Sequence, residues 1–458
     1  MNPFEPTRIR RLSGFGMTAF GDGFTFEPTS IAEITDLFDV ARDSGRKLVL
    51  RGNGRSYGDA SLLSEEIVLD IRSMNRVISW DPQTGIVECE GGVTIEQLWR
   101  LTLPDGWWPP VVSGTMFPTL AGALAMNIHG KNNLHAGTLG EHVLEMEVVT
   151  PTTNLTLQKG DELLSDFISS SGLLGVITRV KLQMKRVGAG ELRVLARSQA
   201  NWDEQFATFE ELAQGADYIV SWVDCFARGN SSGRGLIHTA YYEGDAGETP
   251  DPGESFDLPQ KSKHLWRVLK MFNNRSGMRL VNAAKHVSGK LFENGKERCQ
   301  TLVEFSFLLD YVPDWRKAYL PGGFIQFQSF VPAEHARQVF ARQISLQQDR
   351  HLESFLGVMK RHREDGFLLS HGVDGYSLAM DFKITSSNRD DVWRLCRDMS
   401  DKVIEAGGRF YLAKDSTLRP EDVQAVWGDE ITRLRALKAK FDPDRLLSSR
   451  LAHRLNLE

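Results

Sequence analysis

The stretch RGNGRSYGD, Arg51 to Asp59, places glycines at 52, 54 and 58 around arginines at 51 and 55. A glycine-rich loop that follows a strand can turn successive backbone N–H groups toward an anion. Arginines add fixed, bidentate positive charge. A diphosphate is the guest that such a loop suits. The spacing satisfies neither G-x-G-x-x-G nor the P-loop pattern, and the next element reads as a strand, not as the helix whose N-terminus would meet a phosphate in those folds. Two further segments bear on the same chemistry. SGTMFPTLAGALAMNIHGKNNLHAGTLG, Ser113 to Gly140, is rich in small residues and carries a polar triplet, Asn127, His129 and Lys131. GLLGVI, Gly172 to Ile177, is a third place where backbone can approach a flat or narrow group closely. A tight turn with solvated arginines accounts for an isolated glycine pair; the two further segments shift the balance toward a bound group.

The elements that must position these segments are legible in part. Ser30 and Glu33 form a capping box ahead of Ile31, Ile34, Leu37, Phe38 and Ala41, with Gly45 as the stop. Lys47 to Leu50 reads as the strand that feeds the glycine loop, and Ile67 to Ile71 as the strand after it. Val77–Trp80 and Ile86–Cys89 read as a hairpin about Pro82 to Gly85. Thr94 and Gln97 cap a second helix. Val180, Leu182 and Met184 alternate with polar neighbours, as in a half-buried strand. From Glu243 the chain turns acidic and rich in Pro and Gly, which predicts a mobile surface loop. Lys261 to Lys290 then contains no Asp or Glu and interleaves Leu265, Trp266, Val268, Leu269 and Phe272 with Lys and Arg. Helix signals over Asp390 to Glu405 and a strand RFYLAKDS precede a closing helical segment.

Composition bounds the partners. The 458 residues are 41% hydrophobic and 25% charged with a formal charge of -6, so nothing global favours nucleic acid and any anion site must be local. Cys89, Cys225, Cys299 and Cys396 form no CxxC pair or ligand-spaced cluster, which argues against a disulfide framework and a structural zinc and for a reducing, cytoplasmic setting. The N-terminus lacks the apolar core of a signal peptide, and no run of about 18 apolar residues predicts a spanning helix. Contact with the inner face of a membrane stays open.

The order RGNGRSYGD, SGT…GALAMNIHGKN, GLLGVI resembles the vanillyl-alcohol-oxidase-like flavoproteins, which carry a PCMH-type FAD domain. The likeness spans the N-terminal part and the C-terminal end. Within that family, IHGKN, AGGRFYLAKDS, the terminal RLNL and GGFIQFQSFVP (Gly322 to Pro332) are similar to the branch acting on lipid-linked pentoses. The resemblance implies an α+β fold: an FAD domain of two α+β subdomains over 1–188, a substrate domain on an antiparallel sheet over 189–404 with the insertion near 243–290, and a segment 405–458 returning to the FAD domain. Arg51, Gly52, Asn53, Gly54, Arg55, Ser56, Tyr57 and Gly58 would wrap the FAD pyrophosphate. Gly114, Thr115, Gly122 and Ala123 would admit the cofactor to the backbone, with Asn127, Ile128, His129 and Gly130 beside the ring system, Ile177 on the adenine side and Tyr411 reaching back to the flavin. Lys414 matches the active-site lysine of the family; Gln326, Gln328 and Lys360, with Trp222 and Lys131, match the substrate pocket. Arg55 stands where many relatives tether FAD through histidine, so noncovalent FAD is expected. Ser306 and Ala379 replace a tyrosine and a cysteine of mycobacterial relatives.

The expected reaction is hydride transfer from a secondary alcohol to the flavin, with the C2′-OH of polyprenylphosphoryl-β-D-ribose as the implied site and the 2′-keto sugar as product. Lys414 would supply a fixed cation or hydrogen-bond the reacting hydroxyl, and His129 would take the proton or pack against the cofactor. The alternatives are a soluble aldonolactone or alditol oxidase, and a non-enzymatic flavin-binding partner of a short-chain reductase. No metal is expected. For the basic stretch, a solvated helix pair and a membrane-facing amphipathic surface stand level.

Overall fold

A computed structural model describes residues 3–244, 247–251 and 256–458. Residues 245–246 and 252–255, within the acidic loop expected to be mobile, lie outside the described residues. The fold is α+β and is built on three main sheets. The first is mixed and four-stranded: β1 (Ile9–Ser13) and β2 (Phe20–Phe26) are antiparallel, while β3 (Leu48–Arg51) and β4 (Ile67–Asp70) run parallel to each other and to β2, in the order β1-β2-β4-β3. The glycine loop therefore opens the connection between two parallel neighbours, residues 52–66, in which no helix intervenes. The second sheet is antiparallel. It contains β5 (Val77–Asp81), β6 (Ile86–Glu90), β8 (Val143–Val149), β9 (Asn154–Gln158) and β10 (Val176–Gln183) in the order β5-β6-β10-β8-β9. A short ribbon pairs β7 (Trp107–Trp108) with β11 (Lys185–Arg186).

The third sheet is antiparallel and eight-stranded: β12 (Glu191–Gln199), β13 (Tyr218–Val223), β14 (Gly235–Tyr242), β15 (Glu297–Thr301), β16 (Phe324–Pro332), β17 (Gly357–His362), β18 (Gly375–Lys383) and β19 (Arg409–Phe410), in the order β15-β12-β14-β13-β17-β18-β16-β19. One face packs on helices Ala333–Asp349 and Arg389–Glu405, which bury Phe340, Ile344, Leu395 and Met399. No helix among the described residues is long and apolar enough to cross a membrane. All four cysteines are free, and only Cys299 is exposed.

Local signals act as their chemistry dictates. Helix Ile31–Ser44 starts at Ser30, whose side chain accepts from Glu33 N–H, and ends at Gly45 in the left-handed region. Its box is incomplete, because the Glu33 carboxylate receives the N–H of Thr29 instead of Ser30. The box of Thr94 and Gln97 is reciprocal. The strand expected over RFYLAKDS is only two residues long. After Phe410 the chain leaves the sheet edge and turns, with Lys414 N–H on Tyr411 O and Asp415 N–H on Leu412 O, because Ala413 O is taken by Tyr57 N–H (2.8 Å).

That departure docks the chain's end on the glycine loop. Arg454 bridges Asp59 (2.9 Å) and Asp415 (2.8 Å), both carboxylates almost fully buried. Gly58 has no room for a side chain, since a Cβ there would lie 2.1 Å from Asp415 O. Arg454→Met leaves two buried carboxylates without their cation and is expected to cost about 3 kcal/mol of stability, read as a lowered midpoint in urea unfolding; an unchanged midpoint would refute the structural role given to this bridge.

Candidate active site

Strands place every second side chain on one face, and the face of the large sheet turned away from its helices floors a cavity of about 510 Å³. Val220 and Trp222 on β13, Gln326 and Gln328 on β16, Val358 and Lys360 on β17, and Ala379 and Asp381 on β18 all line it. Register sets their neighbours: Gln326 lies opposite Asp381, Gln328 opposite Ala379, and Trp222 opposite Val358. Gln326 donates to Asp381 at 2.6 Å.

The other end of the cavity is the glycine loop. Among the described residues, the backbone N–H groups of Asn53, Gly54, Arg55 and Ser56 have no acceptor within the chain, and Gly54 is left-handed at φ +60°. Successive unpaired N–H groups around such a residue form an anion-binding concavity. The two arginines differ in role. Arg51 spends its guanidinium inside the loop, on Ser13 O (3.0 Å) and on Ser61 Oγ (3.1 Å). Arg55 lies against the rings of Phe15 and Phe117, and its buried Nε has no partner. Burial lowers its pKa to about 10, so it stays cationic. Asn53 ties this loop to the second small-residue stretch through Phe117 O (2.8 Å). That stretch is held in turn by Asp310, which accepts from Thr115 Oγ1 and Met116 N–H at 2.8 Å each. Burial raises Asp310 to about 6.

Between the two ends stand three lysines whose exposed surface opens on the cavity. Lys414, delivered by the C-terminal turn, sits 3.7 Å from the centroid of Tyr57. Desolvation lowers it to about 7, opposed by the charge of Asp381 and aided by that of Lys360. Burial pushes Asp381 up, with Gln326 and Lys414 working against the shift. Desolvation takes Lys131 to about 7 and Lys360 to about 8. Lys131 bonds Phe305 O and lies over that ring, whereas Lys360 has no partner among the described residues. His129 is buried and held neutral, chiefly by desolvation and then by the charge of Lys360. Its Nε2 accepts from the Gln328 amide at 3.2 Å, while Nδ1 is unpartnered.

Most expected site residues meet at this cavity. Arg51 to Tyr57, Gly114, Thr115, Gly122, Ala123, Ile128, His129, Ile177 and Tyr411 line one part; Lys131, Trp222, Gln326, Gln328, Lys360 and Lys414 line the other, as do Ser306 and Ala379. Three lie behind the wall. Asn127 is fully buried, donating to Thr138 Oγ1 and accepting from Gly140 N–H, so it shapes the turn that carries His129. Gly130 gives space to Asn132 and Val112, and Gly58 to Asp415. The sequence reading missed Asp381, Lys285 and His238, which also line the cavity. For Asp381 the available signal was a lone acid in the buried strand SLAMDFK. His362 and His371, given no role from sequence, form a buried aromatic layer with His129, Phe330 and Tyr411.

These residues fit FAD. Four unpaired N–H groups and Arg55 match a pyrophosphate, and Gly52, Gly114 and Gly122 leave the intervening wall without side chains. Asp381 is the sole carboxylate lining the cavity among the described residues, against two arginines and four lysines, so the lining favours an anionic guest.

Comparison with known proteins agrees. Residues 24–156 match the model of an FAD binding domain. The chain is 31% identical to decaprenylphosphoryl-β-D-ribose oxidase of Mycolicibacterium smegmatis, over 99% of this chain and 98% of that protein. It is 25% identical to L-gulono-1,4-lactone dehydrogenase of Mycobacterium tuberculosis over 92% of each, and 29% identical to a putative D-arabinono-1,4-lactone oxidase of Neurospora crassa over 34% of this chain and 28% of that one. The chain belongs to the PCMH-type, vanillyl-alcohol-oxidase-like flavoproteins, and is an FAD-dependent oxidoreductase acting on CH–OH groups.

Proposed function

We propose that the protein oxidises a secondary alcohol of a lipid-linked pentose, the C2′-OH of a polyprenylphosphoryl-β-D-ribose, to the ketone. The observation that carries this reading is the set of lysines that line the cavity beyond the glycine loop. FAD brings its own diphosphate for Arg55 and the unpaired N–H groups, which leaves Lys131, Lys360 and Lys285 for a second anion; a neutral lactone or alditol offers none. In this reading 1–188 and 405–458 hold the cofactor and 189–404 holds the substrate. A short-chain reductase that accepts the keto sugar is the partner such a product calls for. No histidine lies within Arg51 to Gly58, and no cysteine lines the cavity among the described residues, which supports noncovalent binding.

FAD, held by Arg55, the N–H groups of the glycine loop and the glycine-lined wall, supplies the hydride acceptor. The alcohol proton needs a base, and Lys414 suits that task better than His129. A general base works best with its pKa near the working pH, and desolvation leaves Lys414 close to that point while driving His129 far below it. The Nε2 lone pair of His129 is also engaged by Gln328. The neutral Lys414 amine accepts the hydroxyl proton. The resulting ammonium is stabilised by the carboxylate of Asp381, which Gln326 orients, and by the Tyr57 ring. Lys360 and Lys131 hold the phosphate, and Trp222, Val220 and Val358 exclude water from the sheet face.

Anaerobic addition of polyprenylphosphoryl ribose is expected to bleach the visible flavin spectrum; bleaching by free lactones or alditols alone would favour a soluble substrate, and bleaching by neither would favour a non-enzymatic partner. Lys414→Ala is expected to retain flavin while slowing bleaching by about 100- to 10,000-fold. Wild-type bleaching should speed up as pH rises through about 7, because below that point Lys414 is protonated and accepts nothing. A rate that falls over the same range would instead make Lys414 a fixed cation. Lys360→Met should raise KM for the phosphorylated substrate by about tenfold, as loss of a charge-assisted bond implies, with kcat little changed; an unchanged KM would remove Lys360 from phosphate binding.

A further inference from the structure

Helices Leu265–Phe272 and Arg275–Ser288 are amphipathic the wrong way round for a globular protein. The first buries no residue and the second only Asn282. Their inward contacts are polar. Asn273 donates to Ala318 O (2.9 Å), Asn282 donates to Phe355 O (3.3 Å), and Arg275 pairs with Glu353 (2.6 Å). Most of their large apolar side chains are exposed, while Leu265, Trp266 and Met278 are half-buried. Of the fifteen large hydrophobic residues exposed among the described residues, nine fall between Val268 and Phe292, with Met271 at 75%, Phe292 at 65% and Leu280 at 64% exposure. Leu280, Val287 and Leu291 follow at intervals of seven and four, so they share one stripe. Helices gain stability by burying such a stripe; here none of the described residues covers it.

The charge around the stripe selects what does. Residues 261–290 carry eight Lys or Arg and no Asp or Glu, in a chain whose formal charge is -6. A second copy would bring two strongly cationic faces together, which like-charge repulsion opposes. An apolar layer beneath anionic headgroups meets both halves of the pattern. The location adds a second argument. Lys285, on the second helix, lies 4.7 Å from the Trp222 ring centroid, and both line the cavity. The segment ahead of the first helix bonds Tyr311 O through Lys261 N–H, directly after the Leu308 to Asp310 turn whose leucines also line the cavity.

We propose that Leu265–Phe272, Arg275–Ser288 and the following turn to Glu293 form an interfacial anchor that lies in the headgroup layer of an anionic bilayer and turns the cavity toward it. The anchor stands on its own observations and does not rest on the substrate assigned above.

The test is sedimentation of the full-length, flavin-loaded protein with vesicles of phosphatidylcholine alone or mixed with phosphatidylglycerol, without substrate. The wild type should bind the anionic vesicles, more weakly as salt screens the charges, and bind pure phosphatidylcholine poorly. The quadruple variant R267E/K270E/R279E/K290E should lose anionic-vesicle affinity about a hundredfold or more. L280D/L291D, which alters only exposed positions, should also lose affinity while keeping wild-type flavin content and thermal unfolding. The proposal is overturned by a wild type that stays in the supernatant with both vesicles, by either variant binding like the wild type, or by self-association through Leu280 and Leu291 without vesicle binding. Vesicle binding together with an inert flavin would remove the pentose reading and leave the anchor standing.

Discussion

One junction makes the site: the hydrogen bond from Tyr57 N–H to Ala413 O, locked from behind by Arg454 between Asp59 and Asp415. The anion loop lies near the start of the chain and Lys414 near its end, so neither is informative alone. Loop closure over such a separation is entropically costly, and the ion bridge, the Gly58 contact and the backbone bond offset that cost together. The same junction sets the ammonium of Lys414 on the Tyr57 ring. The glycine loop and Lys414 thereby become parts of one wall of the cavity.

Electrostatics follow from this closure. Packing cationic side chains around a cavity whose described lining holds one carboxylate disfavours their charged forms, and the lysines respond by drifting toward neutrality. A guest carrying phosphate reverses that cost, since each negative charge it brings restores a favourable environment for the ammonium groups that face it. The cavity is thus electrically incomplete by itself. Asp310 extends the logic to the rim: it fastens the substrate-side turn to the second small-residue stretch through Thr115 and Met116.

Much of this was readable before folding. The caps at Ser30 and Thr94, the stop at Gly45 and the strands flanking the glycine loop rest on local chemistry, and local chemistry persists in the structure. The loop's lack of a following helix was legible too, and it reflects the direct parallel pairing of β3 with β4. What sequence reading lost was decided at long range. RFYLAKDS has strand composition, yet only two residues pair, because Ala413 is claimed by a loop more than three hundred residues earlier. Arg51 and Arg55 look equivalent in RGNGR, but Arg51 hydrogen-bonds Ser13 and Ser61 while the buried Nε of Arg55 has no partner. The lone acid of SLAMDFK marks Asp381 as unusual, but its partner is set by the register that places it opposite Gln326.

The two faces of the eight-stranded sheet divide labour by parity. Phe327, Met359, Leu378 and Met380 are buried in the core, while the residues between them, such as Ala379 and Asp381, face the cavity. Ala379 and Ser306 are small for their positions in a wall that otherwise carries Trp222 and two glutamines. Reshaping the chamber therefore requires no change to the layer that keeps the molecule folded. Lineages built on this scaffold can drift from one alcohol to another by exchanging alternate residues, which makes the architecture an evolvable template as well as a single catalyst.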